Sequence, residues 1–252
     1  LSEFWKTAIA EVKQDQILVR GYPIEQLTER CSFGDVVYLL LTGQLPAGNE
    51  GRLVEAILVA CCEHGLASPS VDAVRFVASC GVPLQTSVAA GVSAIGDVHG
   101  GAIEPCARIL QAAVQNGETA EQLLQRLRDN GERMPGFGHR VHQRDPRGPV
   151  LMILAKELGL AGPHLQLACA IAEASEAVIG RRVNINVDGA VAALMCDMGI
   201  ASALGKAFFI ISRAPGYAAH AFEQVTAERP FKAVDPPDIT YTGPARRDVP
   251  SK

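Results

Sequence analysis

The sequence predicts an all-α protein, on three observations. Apolar residues recur at helical spacing or in long alanine- and leucine-rich blocks, and alternating β-branched runs bounded by hairpin turns are scarce. The breaks between apolar blocks carry helix-junction chemistry: Pro46-Ala47-Gly48-Asn49, Ala67-Ser68-Pro69-Ser70, Gly81-Val82-Pro83 and Gly162-Pro163. With 252 residues, 48% of them hydrophobic and 20% charged, the chain can bury a substantial core as one large domain or two small ones.

Taken in order, residues 35–41 and 53–60 are apolar nearly all round, the pattern of helices enclosed in a multilayer bundle. A polar amphipathic helix is expected from Thr119 to Arg128, with Leu123, Leu124 and Leu127 on its buried face and Thr119 as N-cap. Two further helices, Pro149 to Leu158 and His164 to Ile179, are expected to be more exposed. Asp188 precedes the apolar run Gly189-Ala190-Val191-Ala192-Ala193-Leu194-Met195, for which it can serve as N-cap. Near Glu228 the composition shifts, and Arg229-Pro230 opens a proline-rich tail that cannot be core helix; it is either disordered or wrapped onto a partner subunit.

Charge narrows the function. The net charge is −4, yet the segment from Arg133 to Arg147 carries four arginines. Positive charge concentrated in one place suits a small anionic ligand better than nucleic acid, which needs a wide basic face. Within it, Pro135-Gly136-Phe137-Gly138-His139-Arg140-Val141-His142-Gln143-Arg144-Asp145-Pro146-Arg147 reads as an anion-handling loop, because glycines admit close backbone approach and arginine forks pair with carboxylate or phosphate. The plainer reading is a turn with a solvated basic patch.

The seven cysteines (Cys31, Cys61, Cys62, Cys80, Cys106, Cys169 and Cys196) form no CxxC and no regular framework, so they are expected to be reduced core thiols; only Cys61-Cys62 beside His64 suggests a reactive pair. With no signal-like N-terminal pattern and no apolar run of the ~20 residues needed to span a bilayer, a cytoplasmic location is expected.

Among six histidines, His64, His99 and His139 stand in glycine-flanked or polar contexts, where each could be catalytic or simply a satisfied hydrogen-bonding residue. His164 and His220 fall in helical runs, and His220 reads as structural. Asp188, set among apolar neighbours, should be desolvated and made more basic, fit to exchange a proton with carbon. His139-x-x-His142 has metal-ligand spacing, but no HExxH, carboxylate triad or cysteine cluster accompanies it, and no metal is expected. There is no Walker loop or nucleophile elbow, and Gly136-Phe137-Gly138 follows no predicted strand.

With His64, His99, His139, Arg147 and Asp188 in this order, the chain resembles the citrate synthase superfamily from about Ile17 to Gly243. The resemblance is carried by Arg20-Gly21-Tyr22-Pro23-Ile24, Ser32-Phe33, Glu63-His64-Gly65, His99-Gly100-Gly101-Ala102, Gly136-Phe137-Gly138-His139-Arg140-Val141, Asp145-Pro146-Arg147 and Asn186-Val187-Asp188. It implies a multi-helix fold with a large helical domain, residues 1–103 with 214–252, and a smaller CoA-binding helical domain, residues 104–213. It also implies chemistry that joins or cleaves a carbon–carbon bond between an acetyl-CoA enolate and oxaloacetate. Asp188 would be the base at the methyl group, His99 the donor to the thioester oxygen, and His139 the group polarising the ketone. His64, Arg147, Arg213 and Arg229 would bind the oxaloacetate side, with Arg229 entering a neighbouring subunit's site in a homodimer or dimer of dimers. Met134, Pro135, Gly136, Phe137 and Gly138 would form the CoA loop, with Arg140 and Arg144 on CoA phosphates. The coenzyme A thioester is then substrate, and no covalently bound cofactor is implied.

Three departures from the family pattern select among its reactions. Gln44-Leu45-Pro46 is followed almost at once by the helix leading to His64, where typical synthases carry a long helical insertion. Asp188 is followed by Gly189-Ala190-Val191, and Asn-Val-Asp-Gly resembles citryl-CoA lyases and the lyase module of ATP-citrate lyase. The spacing from His139 to Arg147 is one residue shorter than in most synthases. These favour cleavage of citryl-CoA to acetyl-CoA and oxaloacetate, with citrate synthase or 2-methylcitrate synthase as the alternative and a non-catalytic acyl-CoA-binding relative as the third.

Overall fold

The computed structural model describes residues 4–138 and 145–250. Helices dominate it, as the spacing predicts. The chain first makes a small antiparallel meander, β1 (Ala10–Lys13), β2 (Gln16–Val19) and β3 (Tyr22–Pro23), in the order β1-β2-β3. Arg20 and Gly21 both take positive φ between β2 and β3, where Val19 pairs with Tyr22; this is the two-residue turn whose twist suits a hairpin. The meander is invisible to periodicity because its strands are at most four residues long and largely exposed, with no alternating apolar face to read.

Eleven α-helices follow among the described residues: α1 (Ile24–Arg30), α2 (Phe33–Thr42), α3 (Glu50–Cys61), α4 (Pro69–Ser79), α5 (Leu84–Ser93), α6 (Ile103–Gln115), α7 (Ala120–Asp129), α8 (Arg147–Glu157), α9 (Pro163–Ile179), α10 (Val187–Asp197) and α11 (Gly205–Ala227). Local chemistry sets several ends. Thr119 caps α7, as its sequence predicts; the structure adds the reciprocal box with Gln122, and Ser32 makes the same arrangement for α2 with Asp35. Gly180 ends α9 in the left-handed region that a C-terminal stop favours.

α10 is the axis of the molecule: nine of its eleven residues are buried, and α3, α6, α8 and α9 pack round it. Its small side chains, Ala190, Ala192 and Ala193 with Val191, let those neighbours approach from all sides. A second, smaller core joins Val71, Val74 and Ala78 of α4 to Tyr217 and Ala221 of α11, with Val88 and Val92 of α5 against them.

Two expectations need correction. Residues 35–41 and 53–60 are not enclosed all round: Val37, Leu39, Leu53 and Ile57 are buried, but Val59 is 71% exposed and Leu40 37%. α2 and α3 pack on each other at the edge of the bundle, so each keeps an open face despite its apolar composition. Asp188 is not the N-cap of α10 either. The helix begins two residues earlier than the sequence suggests, and the cap is Asn186, whose side chain accepts the Gly189 N–H. The tail after α11 is exposed throughout its described length, consistent with its proline-rich composition, and begins pinned to the end of α4 by Phe231 N–H to Ser79 O and Lys232 N–H to Ser79 Oγ.

Candidate active site

The loop before α8 and the first turn of α10 are built together. Asn186 N–H donates to Gly136 O and Gly138 N–H donates to Asn184 O, while Asn186 Nδ2 donates to Gly138 O at 2.7 Å. Residues 136–138 thus lie along residues 184–186 as a short antiparallel bridge. Two glycines permit the approach: a Cβ on Gly136 would stand 2.6 Å from Gly189 Cα, and one on Gly189 would collide with Gly136 O. This explains the glycine after Asp188 by geometry.

The fold brings five of the expected site residues into one cleft of about 400 Å3: His64, His99, Arg147, Asp188 and Arg213, with Gly138 at its rim. Asp188, at the second position of α10, keeps some surface in the cleft, but protein atoms crowd its carboxyl. Burial raises its pKa; Arg147 and Arg213 pull it down and Asp145 adds to the rise, and burial prevails.

Arg213, on α11, is 2% exposed. Its Nε donates to Cys61 O at 3.0 Å, its Nη1 reaches Ser68 Oγ at 3.5 Å, and its guanidinium lies 4.6 Å above the centre of the Phe209 ring. No carboxylate among the described residues pairs with it. A buried guanidinium with uncompensated charge opening on a cleft is a seat for an anion. Arg147 differs: its Nε and Nη2 hold both oxygens of Asp145 at 2.9 Å, so its charge is already half spoken for. Asp145 also accepts the Val187 N–H at 2.9 Å. Burial opposes ionisation of Asp145, but the Arg147 and Val187 hydrogen bonds outweigh it and bring the carboxyl down to about 2.

His99 follows a tight turn closed by hydrogen bonds in both directions between Gly96 and His99. Its Nε2 is 2.8 Å from Ser70 Oγ and 3.4 Å from Ser68 Oγ, and its ring stands edge-on to Phe209. Nδ1 has no partner among the described residues and is the nitrogen left for a ligand. Burial, then Arg213, lower the His99 pKa and keep the ring neutral, so it can donate a hydrogen bond only from the nitrogen that carries its proton. Ser68 and Ser70 were read in the sequence only as the start of a helix; nothing in a Ser-Pro-Ser run announces that its hydroxyls orient a histidine.

The remaining expected residues lie elsewhere. Met134 and Phe137, with Gly138, line a neighbouring cavity of about 540 Å3 whose rim carries Arg128, Arg133 and Arg181; Pro135 and Gly136 line neither cavity. Arg229 is exposed and stands outside its own chain's cleft, its carbonyl accepting from Gln224 Nε2. His139, His142, Arg140 and Arg144 lie outside the described residues. The Cys61-Cys62 pair gains no support as a reactive centre: Cys61 is buried and its thiol pushed up to about 12, first by burial and then by Asp188. His164 holds Asp197 at 2.8 Å, where that carboxylate also accepts the Gly162, His164 and Leu165 N–H groups that start α9, a structural role. Among the described residues no group of three or more His, Cys, Asp or Glu is disposed to hold a metal ion, and no helix is long and apolar enough to cross a membrane.

Comparison with known proteins bears on the family and the fold. The family model for the citrate synthase C-terminal domain matches residues 3–52 and 47–233. A citryl-CoA lyase structure from Hydrogenobacter thermophilus superposes with a TM-score of 0.94 at 41% identity, covering 98% of each chain. Among curated proteins, ATP-citrate synthase beta chain protein 1 of Oryza sativa subsp. japonica is 24% identical over 94% of this chain and 42% of its own length. The citrate/2-methylcitrate synthase of Bacillus subtilis (strain 168) is 31% identical over 88% of this chain and 58% of its own. The chain thus spans about half the length of the curated relatives it matches.

Proposed function

The chain belongs to the citrate synthase family, and from that premise we propose that it is a citryl-CoA lyase, cleaving citryl-CoA to acetyl-CoA and oxaloacetate through an enolate. One observation carries the reading: Asp188, a carboxyl raised by burial, shares a cleft with the neutral His99 and the uncompensated Arg213. In the cleavage direction the citryl hydroxyl loses its proton to His139 and becomes the oxaloacetate ketone, and the carbon–carbon bond breaks. The electron pair moves into the acetyl-CoA enolate, whose oxygen accepts a hydrogen bond from His99. Asp188 then delivers its proton to the enolate carbon, forming the methyl group. Condensation runs through the same groups in reverse, with Asp188 as base. Donors fixed where enolate charge develops, in a site shielded from water, supply the stabilisation. Arg213 and His64 hold the oxaloacetate carboxylates, and Arg147, already oriented by Asp145, completes the anionic seat.

The CoA moiety runs over the loop from Met134 to Gly138, with Arg140 and Arg144 on its phosphates. Residues 1–103 with 214–252 act as the large domain and 104–213 as the small one; His64 and His99 stand on one side of that division and Gly138, Arg147 and Asp188 on the other, so the cleft lies on the seam and closure would expel water. Arg229, exposed and outside its own cleft, reaches a second subunit's site in a homodimer or larger assembly. All seven cysteines are free, which suits a reducing, cytoplasmic setting.

The likeness to a citrate/2-methylcitrate synthase favours a second reading, condensation with hydrolysis of the thioester. Incubating the purified protein with citryl-CoA and identifying products by mass spectrometry separates the two. Acetyl-CoA plus oxaloacetate establishes the lyase; citrate plus free CoA establishes a synthase. Binding without turnover would leave a non-catalytic acyl-CoA-binding protein.

A further inference from the structure

We infer that Glu63 and His220 are a positioning pair for the cleft: His220 clamps the Glu63 carboxylate, and that carboxylate fixes the backbone carrying His64. The inference rests on the reading of the cleft as an oxaloacetate seat. Segment 61–65 leaves the end of α3 and lies along α11 at residues 213, 216 and 220, which recur at helical spacing on one face. Arg213 Nε holds Cys61 O at 3.0 Å. At Gly216 no side chain intervenes; a Cβ there would stand 2.6 Å from Cys62 O and collide with the Glu63 carboxylate. One turn on, His220 Nε2 lies 3.2 Å from Glu63 Oε1.

That same oxygen accepts the His64 N–H at 2.8 Å and the Gly65 N–H at 2.5 Å, and Gly65, at φ 72°, lets the chain turn so that both donors converge on it. Behind the histidine the arrangement continues with alternating charge. Glu223 Oε2 lies 3.8 Å from His220 Nδ1 and 2.5 Å from Arg75 Nη1, and Glu228 is 3.5 Å from Arg75 Nη2. Burial pushes the Glu63 carboxyl upward, but the Gly65 and His64 N–H groups and His220 hold it below the usual carboxylate range. Neither Glu63 nor His220 lines the cleft, so both act through His64. Asp188 and His99 are held by α10 and by Ser70, independently of this clamp.

The test uses the purified full chain as wild type, Glu63→Ala and His220→Ala, with Glu63→Gln and His220→Gln as rescue variants. Oxaloacetate binding is read by calorimetry and citryl-CoA cleavage by steady-state kinetics. Each alanine variant should raise the oxaloacetate Kd and the KM about tenfold or more while kcat stays within about threefold. The glutamine variants should recover most of the loss, because an amide oxygen still accepts both N–H groups and an amide N–H replaces Nε2. Unchanged Kd and KM in both alanine variants overturn the pair, as does an equal collapse of kcat without glutamine rescue. If the wild type binds no oxaloacetate, the reading of the cleft fails instead, and hydrogen exchange decides the clamp. Faster exchange of the His64 and Gly65 amides in His220→Ala upholds it, and unchanged exchange overturns it.

Discussion

Asp145→Asn tests the electrostatics on which the cleft is built. The asparagine is nearly isosteric but cannot carry the charge that meets Arg147 through two hydrogen bonds of 2.9 Å. Asp145 is 1% exposed, and its carboxyl is brought from the ordinary 3.8 to about 2. A depression of that size is worth about 2 kcal/mol of folding stability at neutral pH. The sign follows from the direction of the shift: a carboxylate held low stabilises the fold above its unfolded pKa, and the contribution fades as pH falls from about 5 towards 2. Urea unfolding at pH 7 should therefore find Asp145→Asn about 2 kcal/mol less stable than wild type, with the gap narrowing steadily in repeats at pH 5, 4 and 3. Equal stability at pH 7, or a gap that does not change with pH, would refute the assignment of Asp145 as the counter-charge that sets Arg147.

Asp188→Asn should act in the opposite sense on stability. Its raised carboxyl is a cost to the fold once ionised, so the variant should unfold at pH 7 no more easily than wild type, while cleavage of citryl-CoA falls by a factor on the order of 10³; a clear loss of stability with retained turnover would contradict both halves. In the wild type, cleavage needs the protonated acid and condensation the base, so the cleavage kcat should decline as pH rises through the Asp188 pKa and condensation should gain, measured as initial rates in the two directions. Gly189→Ala should push the loop at residues 136–138 off α10, costing about 1–3 kcal/mol and most of the activity; a wild-type melting curve and rate would show that the two backbones are not interlocked there.

Much of the fold was legible because helices advertise themselves. Thr119 before its amphipathic run and the apolar run from Gly189 to Met195 each state in sequence what they do in space. Read from the residues alone, the site was legible where residue type is unusual for its surroundings, as with Asp188 inside an apolar run, whereas Arg213, buried on α11, was reached only through the family resemblance. What stayed hidden depends on long-range approach. Ser70 meets His99 across 29 residues, and His220 meets Glu63 across a far greater separation, so no local pattern links them. The open faces of α2 and α3 were hidden for a related reason: composition records what a helix can bury, not what the fold brings against it.

The first turn of α10 joins these levels in one argument. A carboxylate at a helix N-terminus is ordinarily favoured in its charged form, by the macrodipole and by the unpaired backbone N–H groups there. Asp188 occupies such a position and is nonetheless raised. The donors that could lower it are taken by others: Asp145 accepts the Val187 N–H, and Asn186 accepts the Gly189 N–H. Asn186 is itself braced by Gly138, and the loop carrying Gly138 reaches α10 only because Gly136 and Gly189 have no side chains. Capping by Asn186 instead of Asp188 is therefore what leaves the Asp188 carboxyl without backbone donors and basic enough to exchange a proton with carbon.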